Sequence, residues 1–386
     1  GAANANTVDL GAVTINGSVT GGAGSTTSNN KVNMSGTTVS GVVTGGAGSG
    51  TGNALTVKGN NRAGNIAGFQ KLTFNLGNLN RTNPMLRLTS GTATNITFGS
   101  IAFEGTPEPK VGQITLVEKS APSIHVADYA GVRGRTEGDF EYDLDTDTQT
   151  ANAKKILFDG YRFRNAVVTG AASGTDTWAG RSRIGNSTVN NRLTITGGST
   201  TNAYGGWTTG TGTPAAEKFN TKDNTATLNA GTITNLYGGY TDAAAGKATG
   251  NKVFVNGGSV TANVTGGFGG TDATDNHVTV TGGSVGGTIR GAQSAGTAHK
   301  NTVEIKGGNV HAGILGADAA GAATENKVTT TGTVTGNITG AKSTSGAVTK
   351  NVVTIKGNVT GNVTGGQTTG AANANTVDLG AVTING

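Results

Sequence analysis

NKVFVNGGSVTANVTGGFGGTDATD, residues 251–275, sets a pattern that the chain then repeats three times without a gap. NHVTVTGGSVGGTIRGAQSAGTAHK runs from Asn276, NTVEIKGGNVHAGILGADAAGAATE from Asn301 and NKVTTTGTVTGNITGAKSTSGAVTK from Asn326. Two and four residues after the Asn stand apolar pairs: Val253 and Val255, Val278 and Val280, Val303 and Ile305, then Val353 and Ile355. A Gly-Gly follows at Gly257–Gly258, Gly282–Gly283 and Gly307–Gly308. A second segment supplies Val260 and Val264, Val285 and Ile289, Val310 and Ile314, Val334 and Ile338, Val359 and Val363. Alternation of period two means strands with one buried face. A unit of two short strands cannot bury that face alone, so successive units must stack, each Val or Ile above its equivalent at about 4.8 Å per coil. The pattern therefore predicts an all-β fold, a parallel β-helix or β-solenoid of roughly 25-residue coils, with thin Val/Ile/Gly cores that exclude large aromatics.

Working outward, the leading Asn recurs at Asn251, Asn276, Asn301, Asn326 and Asn351 every 25 residues, and at Asn375 after 24. Asn224 and Asn191 extend it upstream with spacings of 27 and 33. Near the start, Asn6, Asn30 and Asn53 follow at 24 and 23. Such a column suits an internal ladder of amides bonded coil to coil; the plain alternative is turn chemistry with Asn in the left-handed region. Asn6 and Asn375 share a further relation. The segment GAANANTVDLGAVTING occupies Gly1–Gly17 and recurs unchanged as Gly370–Gly386, 369 residues later. We expect a chain of near-identical 369-residue units, in which the last segment of one unit stacks as the first coil of the next. A variant keeps separate chains and assembles identical terminal coils end to end.

Composition agrees with strands and turns. Gly accounts for 68 of 386 residues, aromatics are 5% and charged residues 13%, against about 25% charge in ordinary domains. Cysteine is absent, which removes disulfides, thiolate metal sites and cysteine nucleophiles together and suits a long secreted bacterial chain. The formal charge of +6 is small and dispersed, so no nucleic-acid partner is expected, and no run has membrane-spanning length. Since the chain opens at Gly1 without an initiator Met or signal sequence, we expect a mature fragment whose export signal and anchor lie outside it.

Two regions break the coil pattern. Residues 69–122 hold closely spaced apolar strands (LTFNL, MLRLTS, NITFGSIAFEG, QITLVEK) with Pro84, Pro107 and Pro109 in loops, and continue the solenoid of residues 1–68. Residues 123–186 are charged; GDFEYDL and KKILFDGYRF around DTDTQTANA predict a β-hairpin, taken as an insertion projecting from the solenoid before coils resume over 187–386.

Repeats of the form N-x-V-x-[IV]-x-G-G-x-V-x-G-x-V-x-G-G resemble the passenger regions of large bacterial autotransporter-type surface proteins. The stretch GFQKLTFNLGN to GQITLVEKS (Gly68–Ser120) also resembles a recurring passenger segment. The resemblance covers about three quarters of the chain and rests on composition and period, so it carries no functional residues. It implies a right-handed parallel β-helix, an extracellular setting on a bacterial surface, and a role as stalk or adhesin.

Candidate sites are few. Aligned on the second Gly-Gly, Trp207, Tyr240 and Phe268 follow it, and Tyr204 and Tyr237 precede it; the later coils carry Gln293, Asp318, Gln367 and, near the start, Ala23 and Ala47. This strip of Tyr204, Trp207, Tyr237, Tyr240 and Phe268 either stacks on sugar rings or packs against the insertion or a neighbouring fibre. The run Glu137, Asp139, Glu141, Asp143, Asp145, Asp147 contains D-x-D-x-D, and Asp143, Asp145 and Asp147 are a weak calcium candidate. Counted from Asp143, an EF-hand's Gly and Glu positions hold Thr148 and Lys154. No catalytic constellation or cofactor motif stands out. The regular coils scatter their acids, whereas a glycosidase needs two carboxylates within about 5–10 Å. We therefore expect no enzyme and no cofactor. The expected partner is the chain itself, with neighbouring fibres or surface glycans next. The leading expectation is a structural fibre, followed by an adhesin acting through the strip or through Arg133, Arg135, Arg162, Arg164, Arg181 and Arg183, and then by a β-helical carbohydrate-active enzyme.

Overall fold

The computed structural model describes residues 1–46, 50–78, 82–105, 108, 110–130, 132–210, 218–311 and 313–386. Ala47, Pro107 and Pro109, named above, lie outside these. The chain divides into two compact units, residues 1–161 and 162–386, and each is a β-solenoid of parallel coils stacked one on the next.

In the second unit, strands bearing the paired apolar positions pair parallel and in register. Leu193, Ala226, Val253, Val278, Val303, Val328 and Val353 form one column, and Ile195, Leu228, Val255, Val280, Ile305, Thr330 and Ile355 another. The second segment adds Ile233, Val260, Val285, Val310, Val334 and Val359, all buried. Alternation puts every second side chain inward, and each coil covers the apolar face of the one before. One column of glycines marks a close approach of neighbouring coils: a Cβ on Gly291 would lie 2.4 Å from the Gly316 carbonyl oxygen, and one on Gly316 would lie 2.1 Å from that of Gly340.

The first unit begins in the same way. Thr7–Leu10 pairs with Lys31–Ser35, which pairs with Ala54–Lys58. The next coil is short: Leu55 stands over Leu72 and Val57 over Phe74, only 17 residues on. Residues 69–122 thus continue the solenoid with uneven coil lengths, Phe74 then stacking on Phe103.

Residues 123–186 do not project as one insertion. Phe140–Thr146 and Lys155–Arg162 do neighbour each other as the hairpin expected, but they extend the sheet of the first unit, Lys155–Arg162 pairing antiparallel with Lys110–Lys119. Their inward residues Phe140, Tyr142, Leu144, Ile156 and Phe158 are buried in its core. Aromatics are not excluded there: the Phe103 ring lies 4.9 Å from both Tyr142 and Phe158. Antiparallel strands end the stack of equal coils, so they need no thin, repeated cross-section and can carry bulky cover. The remainder, Val167–Ala172 and Asp176–Ser182, forms a regular coil paired in parallel with Arg192–Thr208 in the second unit. Its period escapes the sequence pattern because Ala166 stands where the other coils have Asn.

Candidate functional site

Each ladder Asn begins a strand, and the residue before it adopts the left-handed conformation. Ala5, Asn29, Asn190, Asp223, Asp275, Lys300, Glu325, Lys350 and Ala374 have φ of 54–57°, and Gly52 and Gly250 serve the same corner at 75° and 66°. The left-handed residue turns the chain so that the Asn side chain points in. The turn alternative thus applies to the preceding residue, and the asparagines themselves are free to bond along the axis.

They do so over the first coils of the first unit and along the second unit. Side-chain Nδ2 donates to the next Asn Oδ1 from Asn6 to Asn30 and from Asn30 to Asn53, at 2.9 and 3.2 Å. The same bond links Asn191, Asn224, Asn251, Asn276, Asn301, Asn326, Asn351 and Asn375 in turn, at 2.8–3.0 Å. Asn301 shows the full set. Its backbone N–H and Nδ2 both donate to Asn326 Oδ1, at 3.0 and 2.9 Å. Its second Nδ2 proton goes back to the Ala273 carbonyl at 2.8 Å, and its Oδ1 accepts from the N–H and Nδ2 of Asn276. Every polar atom of a fully buried amide is thereby used. In the first unit Gln70 Oε1 takes over, accepting from the Asn53 N–H at 2.9 Å; in the second, Asn191 Oδ1 accepts from Ala166.

The ladder has a direction, and the two copies of the repeated segment divide it between them. Asn6 makes the forward bonds, donating from N–H and Nδ2 to Asn30 Oδ1 at 3.0 and 2.9 Å. Asn375 makes the backward ones: its Oδ1 accepts from the Asn351 N–H and Nδ2 at 3.0 and 2.9 Å, and its Nδ2 donates to the Val348 carbonyl at 2.9 Å. Combined, they are the set of Asn301. Strands Thr7–Leu10 and Thr376–Leu379 stack likewise, the first on Lys31–Met34 and the second on Val352–Ile355.

The aromatic strip is brought together and is larger than the sequence pattern gave. Trp178 is in register with Tyr204 and Arg181 with Trp207, so TWAGRS is the counterpart of AYGGWT; the shared spacing of aromatic, Gly and Ser/Thr was the available signal. Ring faces meet one another: Tyr204 stacks on Trp207 at 4.6 Å and on Tyr237 at 5.3 Å, and Tyr240 on Phe268 at 4.7 Å. The Arg181 guanidinium lies 4.7 and 4.3 Å from the Trp178 and Trp207 ring centres. Tyr204 is buried, which pushes its phenol pKa up. Faces spent on neighbouring rings are not available to stack on a sugar.

Asp143, Asp145 and Asp147 line one cleft of about 480 Å³ together with Arg133. Arg133 pairs with Asp145 and lies 3.8 Å from Asp143. Asp145 also accepts from the Tyr129 hydroxyl at 2.9 Å, and Asp147 from the N–H groups of Lys154 and Lys155 at 3.0 and 3.1 Å. These carboxylates are thus already engaged by a guanidinium and by backbone donors. Among the described residues no group of three or more His, Asp or Glu is placed to hold a metal.

One buried group had no sequence signal. Lys119, in QITLVEK, is fully buried, and its Nζ donates to the Ser90 and Thr92 carbonyls at 2.8 and 2.9 Å and to Asn65 Oδ1 and Thr94 Oγ1, both at 3.1 Å. Burial lowers its pKa, but four oxygens around it call for an ammonium's three protons. It staples a turn of the first unit. No family model, curated protein or solved structure matches the chain.

Proposed function

We propose that this chain is one structural repeat unit of a long extracellular β-solenoid fibre or stalk on a bacterial surface, built from tandem 369-residue units. The observation that carries the reading is the division of the ladder between Asn6 and Asn375, two copies of one residue in one seventeen-residue segment. One copy has the contacts of a coil with a successor and the other those of a coil with a predecessor. One seventeen-residue sequence that makes both sets of contacts is suited to join one unit to the next. The work of such a protein is mechanical: apolar columns and a buried amide ladder resist local opening and proteolysis, since every coil is held by two others.

The adhesin reading through Tyr204, Trp207, Tyr237, Tyr240 and Phe268 has less support, because those rings face one another. The test is the intact mass of the native chain. A mass many times 38.0 kDa supports tandem units, and one near 38.0 kDa overturns them.

A further inference from the structure

The segment 370–386 turns one face towards the coil before it and presents the other outward. On that outward face Val377 and Leu379 are 40% and 50% exposed, although they continue the columns of Val353 and Ile355, both buried. What fits there can be read from residues 1–17, which have the same sequence, the same left-handed residue (Ala5 and Ala374) and the same strand. In the first copy, Val8 and Leu10 pack over Val32 and Met34, Asn6 donates to Asn30, and Asp9 accepts from Asn33 Nδ2 at 2.6 Å. Ala3, Ala5 and Gly41 add backbone bonds to Thr26, Ser28 and Gly17 at 2.8–3.0 Å.

We infer that residues 370–386 of one copy take the place of residues 1–17 in a second copy of the chain, by strand exchange. Asn375 then donates to Asn30 of the second copy, Val377 and Leu379 cover Val32 and Met34, and Asp378 meets Asn33. The contacts that residues 1–17 give up are the ones the incoming segment remakes, so the exchange loses no packing. Plain stacking of 370–386 on an undisplaced 1–17 would also pair Asn375 with Asn6, but it sets Asp378 directly against Asp9. Like charges opposite each other in neighbouring strands repel, so exchange is favoured. The exchange concerns separate chains; under the tandem reading the same joint forms within one chain without exchange, because residues 370–386 are then the first coil of the next unit.

Because the chain has no cysteine, a disulfide reports the contact. Full-length D378C chains are mixed with full-length N33C or D9C chains and oxidised. Exchange gives a two-chain product with N33C; a product with D9C instead, or with neither, overturns the proposal. In a second measurement, a chain of residues 18–386, one period, is examined by light scattering and electron microscopy after circular dichroism has established its β content. Its mass should rise with concentration in steps of one chain, and both the V377K/L379K change and added GAANANTVDLGAVTING peptide should return it to the monomer. A folded 18–386 chain that stays monomeric overturns the joint whatever the native mass. A native mass of one unit together with these polymers overturns the tandem reading and leaves the joint standing.

Discussion

Replacing Asn301 by alanine removes an amide that is wholly buried and makes four side-chain hydrogen bonds. Asn326 Oδ1 keeps a donor, because the Asn301 backbone N–H still points at it. Three groups are left short: the Asn276 N–H, one Asn276 Nδ2 proton and the Ala273 carbonyl. Each buried group without a partner costs about 1–3 kcal/mol, so the variant should lose on the order of 3–9 kcal/mol. Asn375→Ala gives the control. It removes the same backward bonds from an Asn that is only half-buried, and should cost less, about 1 kcal/mol. Guanidinium denaturation gives the total, and amide exchange at Asn276 locates it: the N–H that donated to Asn301 should lose protection first. Equal losses for the two variants, or a loss under about 1 kcal/mol at Asn301, would refute the ladder as a source of stability.

Thr330 sits in the column between Ile305 and Ile355, buried, with its hydroxyl unpartnered; Thr330→Val should stabilise the second unit by about 1–2 kcal/mol in denaturant melts. Lys119→Met leaves the Ser90 carbonyl and its neighbours without an ammonium and should destabilise the first unit by about 2–4 kcal/mol, with exchange rising around residues 90–94. Burial lowers the His277 pKa, against an opposing pull from Glu304. The unfolded chain therefore binds that proton more tightly, and its contribution, complete above the ordinary value near about 6.5, falls away as pH drops through the folded one. Melting temperature should decline between about pH 7 and pH 5, and His277→Gln should flatten that slope.

The stacking was legible because in a solenoid local pattern and tertiary contact coincide: a residue meets its own counterpart one period on. Val253 predicts Val278 as neighbour from the sequence alone, and Asn251 predicts Asn276. The reading failed where a coil kept the shape and changed the marker. Ala166 offers a backbone N–H to Asn191 in place of an amide, and with the Asn gone, Trp178 and Arg181 lost their place in the aromatic columns. It failed again at Lys119, half of whose partners are backbone carbonyls, groups every residue has and no sequence displays. The hairpin was visible as strands but not as cover for a core, because burial of Phe158 depends on Lys110–Lys119, to which antiparallel pairing joins its strand, and Phe140 follows on the next strand of the sheet.

Direction in the ladder restricts how copies can meet. Towards the next coil each Asn presents two donors, its N–H and one Nδ2 proton; towards the previous coil it presents the Oδ1 that receives two and a further Nδ2 proton for a carbonyl. Two outward faces of the 370–386 kind would oppose donors to donors, and two faces of the Asn30 kind would oppose acceptors to acceptors. A twofold dimer through these coils therefore leaves the groups of the two terminal asparagines unpaired at the junction, at about 1–3 kcal/mol each. Only a head-to-tail contact satisfies both sides, and a contact of that class that does not close into a ring grows without limit. In the assembly proposed, the same directional amide that fixes register inside a unit thus favours a head-to-tail contact over a twofold one.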